Sequence, residues 1–262
     1  MPKFASMLVL LSPAKTIKPE PCPWPELSTT KSAGMQQAQT IMSQLKLWSF
    51  ERLRSEMKLS DKLASTVLEW HRQWRLDSKN AAGMCFHGDA FKSLDLGSLD
   101  EMEFNKAQQN LRILHGVYGL LRPLDGYAPV RLEMAQSWSP DPKHKTMSSY
   151  WKPQLPDLIR QEMTRGNHAW ILNLASAEYG NVALGGLHEW PVVECEFLEI
   201  KAGKPKNISS FSKTARGAMA RYAIQQNVQS TEDLKAFNNL GYALDKTASS
   251  KLKLVFTRTS RT

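Results

Sequence analysis

The alternation of apolar runs with helically spaced segments sets the plan of this chain. Met7 to Leu11 is an unbroken apolar run, the pattern of a buried central strand. Residues 169–174 repeat that pattern. From Val192 to Ile200 the residues alternate enough for a half-exposed strand. Residues 207–212 read as a fourth strand, and Leu252 to Arg258 closes the chain as a fifth. Residues 32–79 place apolar side chains at helical spacing with few breakers, and Asp61 sits near a helix start. Asp100 is expected to be an N-cap, with Glu103 three residues on. The helix it opens is expected to run through Leu111 and Leu114 and to stop at Gly116. Further helices are expected over 154–165 and from Lys213 to Asn227. Residues 17–30, with Pro19, Pro21, Pro23 and Pro25, read as an ordered covering loop. Residues 84–99 read as irregular, and 116–129, with three glycines and two prolines, as loop.

Strands at both ends with helices between them predict an α/β (mixed α+β) fold: one domain over residues 7–258, with a mixed central sheet covered by helices. Residues 1–6 read as an N-terminal extension, and Met7 is an alternative start. No linker, internal repeat or low-complexity tract divides the chain.

Composition narrows the function classes. The chain has 262 residues, 42% of them hydrophobic, enough to bury a large core. No stretch of about 18 apolar residues exists, and the first apolar run is too short for a signal-peptide core, so a soluble, cytoplasmic protein with no membrane partner is expected. Cys22, Cys85 and Cys195 lie far apart and form no CxxC pair. The six histidines show no HExxH pattern, so no metal or other cofactor is expected. Charge is unevenly placed. Residues 1–200 balance 22 Lys and Arg against 22 Asp and Glu, whereas residues 201–262 hold 12 basic and three acidic residues. The whole net charge of +9 therefore sits in the last 62 residues. That localised excess suits an anionic partner, or equally a solubilising surface.

Four constellations stand out. Ser12-Pro13-Ala14-Lys15-Thr16 follows the first strand, where ligands gather in open α/β sheets. Ser12, Lys15 and Thr16 supply two hydroxyls and a cation for phosphate oxygens, without a Walker A pattern; a solvated surface turn fits the same residues. Residues 111–125 carry Arg112, Gly116, Gly119, Arg122 and Asp125 in an arrangement like a helix-hairpin-helix turn, whose backbone N–H groups meet phosphates. The glycines are three apart rather than two, Pro123 cuts the second helix short, and Arg112, Arg122 and Arg131 have carboxylates such as Asp125 and Glu133 as alternative partners. Lys213, Arg216, Gly217 and Arg221 share one face of the last helix, with Ser212 as its cap and Gly217 leaving room for a ligand backbone; a plain solvated face is the alternative. Asn173, Ser176, Glu178 and Tyr179 follow the second strand and either line a site or cap the next helix.

Taken together these segments resemble the peroxide stress protein YaaA family of bacteria. The matching pieces are Ser12 to Thr16, Phe86-His87-Gly88-Asp89, Arg112 to Asp125, Arg131 to Met134, Asn173 to Ser176 with Glu178-Tyr179, Lys213 with Ala215-Arg216-Gly217, and Gly241-Tyr242. Ala90-Phe91 departs from the Val-Tyr more usual there. The resemblance implies a basic cleft, a helix-hairpin-helix-like element, binding of double-stranded or branched DNA, and a peroxide-stress role that limits free iron and oxidative DNA damage. The leading expectation is sequence-tolerant DNA binding, with Lys15, Arg112, Arg122, Arg131, Lys213, Arg216 and Arg221 on phosphates. About six neutralised phosphates set a salt slope near −5. The alternative is an enzyme acting on a phosphorylated or carboxylated small molecule, with Lys15, Asp89, Glu178, Tyr179 and Lys213 as catalytic candidates. Direct iron binding lacks a ligand cluster.

Overall fold

The computed structural model describes residues 6–24 and 26–259; residues 1–5 of the expected extension and Pro25 of the covering loop lie outside them. The strands are β1 Ser6–Leu11, β2 Leu111–His115, β3 Gly119–Leu121, β4 His168–Leu174, β5 Val192–Lys201, β6 Lys204–Lys206, β7 Ala243–Leu244 and β8 Lys253–Thr259. The helices are α1 Met35–Leu45, α2 Phe50–Glu56, α3 Asp61–Gln73, α4 Asp89–Leu94, α5 Glu101–Asn110, α6 Met147–Trp151, α7 Leu155–Arg165, α8 Ala177–Leu184, α9 Ser209–Gln225 and α10 Thr231–Lys235.

One mixed sheet runs in the order β3-β2-β1-β4-β5-β8-β7, with β6 hairpinned onto β5. The strands β2, β1, β4, β5 and β8 are mutually parallel, and β3, β6 and β7 are antiparallel additions. Because β1, β2 and most of β4 are buried along their lengths, both sheet faces are covered, as continuous apolar runs require. Helices α4, α5 and α9 pack together and onto the sheet; α7 and α8 pack against one another and onto other parts of it. The chain leaves β1 for β2 on one side and returns to β4 on the other. The C-terminal end of β1 is therefore a topological switch point, where adjacent connections part and open a crevice.

The expected strands at 7–11, 169–174, 192–200 and 252–258 form, as do the helices within 32–79 and over 154–165. Asp100 makes the reciprocal capping box with Glu103. Three expectations are corrected. The helix from Asp100 ends at Asn110, and Leu111 turns into the extended β2, paired with β1 from Val9↔Leu111 to Leu11↔Ile113. The segment after it is a β-hairpin, β2–β3, and not a helix-hairpin-helix element. A short apolar run suits either state locally, and pairing beside a buried strand decides for extension. Second, 207–212 is not a strand: α9 starts at Ser209, immediately after β6. Ser212 lies inside the helix and does not cap it; its hydroxyl is buried within hydrogen-bonding distance of Phe197 O (3.1 Å) and Asn207 Oδ1 (2.9 Å), tying α9 down onto β5. Third, the irregular stretch 84–99 contains α4, and the loop 116–129 contains β3.

Candidate functional site

A cleft of about 530 Å³ opens beyond the C-terminal ends of β1, β2 and β4. Its floor is the loop after β1. Thr16 O accepts the His87 N–H at 2.9 Å, Ile17 bridges Phe86, and a Cβ on Gly88 would stand 2.7 Å from that of Ala14. The Ser12–Thr16 loop and the start of α4 are thus locked side by side. Ser12 Oγ accepts the Ser176 N–H at 2.8 Å, and the two hydroxyls are 3.2 Å apart, which joins the ends of β1 and β4.

The cleft brings together Ser12, Lys15, Thr16, Asp89, Arg131, Ser176, Glu178, Tyr179, Lys213 and Arg216 from the expected set. It adds His87, Lys92, His115 and Glu133, which the reading of local constellations had not chosen as site residues. Among the described residues, five cations and three carboxylates line it. Glu133 stands between two of the cations, with Lys15 Nζ at 2.8 Å and Arg131 Nη2 at 3.1 Å. Glu178 Oε1 accepts the Ala135 N–H at 2.9 Å, holding the 130–135 strap over the site. Among the described residues, no carboxylate lies within ion-pairing distance of Lys213 or Arg216. Burial lowers the Arg216 pKa, so a bound anion would offset a cost the fold already carries.

His115 ends β2 as Ser12 follows β1. Its Nδ1 accepts the N–H groups of Val117 (3.0 Å) and Tyr118 (3.3 Å), which assigns the ring proton to Nε2. Burial pushes its pKa down to about 3, so at neutral pH it is an uncharged donor. Tyr179 is buried at the cleft wall, and burial followed by the nearby Glu178 charge raises its pKa, keeping the phenol protonated. The cations can neutralise an anion, while His115 Nε2 stands 3.5 Å from Tyr127 Oη and the Tyr179 phenol is hydrogen-bonded to the Met134 backbone, which ties both rings into the cleft wall.

The remaining predicted residues lie elsewhere. Arg112 is 3% exposed and donates Nε to Glu162 at 2.8 Å, with Arg122 on the same carboxylate at 2.9 Å. That ion cluster fastens α7 to β2 and the loop after β3, so neither arginine is presented to a ligand. Gly116 and Gly119 are packed inside the protein: a Cβ on Gly116 would stand 2.2 Å from Leu132 O, and Gly119, at φ +67°, faces the Trp151 ring. Asn173 accepts the Ala175 N–H through Oδ1 and steadies the turn after β4. Arg221 donates to the carbonyls of Leu94 and Asp95 at the end of α4. Gly217 does give close backbone approach, but to α4 rather than a ligand; its Cβ would meet Ala90 O at 1.9 Å. Among the described residues no three His, Cys, Asp or Glu side chains group as a metal centre would need, and no helix is long and apolar enough to cross a membrane.

A family model described as peroxide stress protein YaaA matches residues 7–248. UPF0246 protein IL2146 of Idiomarina loihiensis is 35% identical, covering 96% of this chain and 98% of its own. A UPF0246 protein of Saccharophagus degradans is 34% identical and one of Bordetella avium, BAV2675, 36%, each over 96% of this chain and 99% of the relative. Residues around the cleft therefore fall inside a match that spans nearly the whole chain, and the protein belongs to the YaaA family of peroxide stress proteins.

Proposed function

We propose that this protein serves the peroxide-stress response as a sequence-tolerant, structure-selective DNA-binding protein that limits iron-mediated oxidative damage to DNA. The observation that carries the reading is the convergence of Lys15, Arg131, Lys213 and Arg216 on one cleft at the switch point of the sheet. The last two come from the segment that holds the whole excess charge. Phosphate contacts of this kind position a backbone without reading its sequence. The cleft's volume suits one nucleotide unit rather than the width of a duplex, which favours strand ends and branches, where a phosphate stands clear of the helix.

Because Arg112, Arg122 and Arg221 lie outside the cleft, four cleft cations remain from the seven expected. These four alone set a slope of log K against log[salt] near −4 on duplex ends, and further phosphate contacts steepen it. Fluorescence anisotropy at several salt concentrations reads this directly. A flat response, or no binding at low salt, removes the proposal.

A second reading has its own observation. Asp89, Glu133 and Glu178 share the cleft with Lys15 and Lys213, carboxylates and amines of the kind that acid–base chemistry on a small phosphorylated or carboxylated substrate uses. Thermal shift separates the two. Strong stabilisation by mononucleotides favours the enzyme; stabilisation by DNA alone favours the binder.

A further inference from the structure

Beside the cleft, the C-terminal ends of β5 and β8 carry a second surface. Phe211 in the first turn of α9 is 38% exposed, unusual for a phenylalanine outside the core. Its ring is backed by the Arg258 guanidinium, 4.8 Å from the ring centroid, and the same guanidinium lies 4.6 Å from the Tyr242 centroid. Arg258 Nε donates to Glu199 at 2.7 Å, and Tyr242 Oη donates to the same carboxylate at 2.6 Å. An aromatic ring stacked on a guanidinium anchored in this way is held still, so little rotamer freedom is lost when a partner covers it.

The same strip is basic. Glu199 pairs in register with Lys206 on one side and Arg258 on the other. The β5–β6 hairpin therefore sets Lys201, Lys204 and Lys206, all exposed, along the strand edge beside Glu199, the residue that anchors Arg258. None of the three has a carboxylate within ion-pairing distance among the described residues. Two residues beyond Phe211, about 3 Å along the helix axis and roughly 200° around it, Lys213 lines the cleft, and Arg216 follows. The strip and the cleft thus lie on different sides of the first turns of α9, and a strand that uses both crosses the start of that helix.

We propose that Phe211 is a stacking platform for an unpaired base of a DNA strand whose phosphates are held by Lys201, Lys204 and Lys206 and by the cleft cations. A fixed aromatic face flanked by unmatched cations is the combination that grips single strands regardless of sequence. A base inside a duplex is not available to such a face, so the platform selects frayed ends, overhangs and junctions. This deepens the DNA reading above and rests on it.

The test compares three labelled oligonucleotides by anisotropy with the full chain: a single strand, an abasic strand of equal length and charge, and a blunt duplex. Phe211→Ala should weaken the single strand at least fivefold, the loss of one stacked base at about 1 kcal/mol, and leave the abasic strand and blunt duplex unchanged. Phe211→Trp should keep or tighten single-strand binding. Phe211→Leu, which retains apolar bulk, should lose what Ala loses, so a folding defect in the alanine variant leaves the test intact. Paired Lys204→Gln and Lys206→Gln changes should weaken all three ligands and flatten the salt slope. Single-strand binding by the Ala and Leu variants equal to wild type overturns the platform, as does an equal loss on the abasic strand. Absence of wild-type binding to any DNA at low salt overturns the DNA reading itself.

Discussion

Replacing Gly217 by alanine sets two well-separated effects against each other. In a helix interior alanine is favoured over glycine by about 1 kcal/mol, so local propensity predicts a more stable protein. The packing predicts the reverse. A Cβ at 217 would stand 1.9 Å from Ala90 O, 2.7 Å from its carbonyl carbon and 2.9 Å from its Cα. These are backbone atoms of α4, which have no rotamer to change, so α4 and α9 must separate. Overpacking of this kind costs up to about 3 kcal/mol, leaving a net loss of about 2 kcal/mol, or a Tm lower by roughly 4–8 °C. The separation also moves Asp89 and Lys92 away from Lys213 and Arg216, the two sides of the cleft, so ligand affinity should fall with stability. Gly97→Ala is the control, since its Cβ meets nothing nearer than 3.8 Å. Urea and thermal melts of both variants decide. A Gly217→Ala protein as stable as wild type, or more so, would refute the assignment of this glycine to the α4 contact.

Glu133→Gln should tighten anion binding, because it frees Lys15 and Arg131 and removes a like charge from the cleft. A unit charge about 5 Å from a bound phosphate is worth about 1–3 kcal/mol between effective dielectrics of about 80 and 20; anisotropy showing equal or weaker binding contradicts the role given to this carboxylate. Acid should destabilise the fold. Burial holds His71 at about 4, His115 at about 3 and, with help from the Arg112 charge, His168 at about 4. In the unfolded chain they titrate near 6.5, so the unfolded state takes up protons that the folded state refuses. Their contribution is whole above about pH 7 and is lost as pH falls toward 4, at up to about 1.4 kcal/mol per pH unit for each. Urea midpoints at pH 7 and pH 5 read this, and a flat profile speaks against it.

What was legible in the sequence follows from how far each signal reaches. Met7–Leu11 and residues 169–174 announce themselves because a parallel strand buried on both faces must be apolar throughout. The rule that ligands gather after such strands then found Ser12, Lys15, Thr16, Ser176 and Glu178. The same rule would have found His115, but Leu111–Leu114 continues a well-capped helix without a break, and the signal that ends the helix is a pairing with Val9–Leu11 about a hundred residues away. Arg112 and Arg122 look free beside glycines because Glu162 lies 50 and 40 residues downstream. Gly217 suggested an opening because its neighbour Ala90 comes from another helix. The misses at His115, Arg112, Arg122 and Gly217 each concern a partner distant in sequence, which composition and spacing do not encode.

The cations sort themselves by that same criterion. In residues 1–200, where charges balance, the arginines and lysines that looked available are matched within the fold: Arg112 and Arg122 to Glu162, Lys15 and Arg131 to Glu133. In the last 62 residues Lys253 and Arg258 are matched to Glu196 and Glu199, and Lys235 to Glu232. The residues left without a carboxylate among those described include Lys201, Lys204, Lys206, Lys213 and Arg216. Lys213 and Arg216 line the cleft beyond β1 and β4, and Lys201, Lys204 and Lys206 lie on the hairpin at the end of β5, which runs on past the end of β4. Unmatched like charges repel one another and bring the fold no stability of their own. Two unmatched cations in a cleft sized for a nucleotide, and three more on the hairpin that leads into the same helix as an exposed aromatic ring, are what a solubilising surface does not require and a strand-binding surface does.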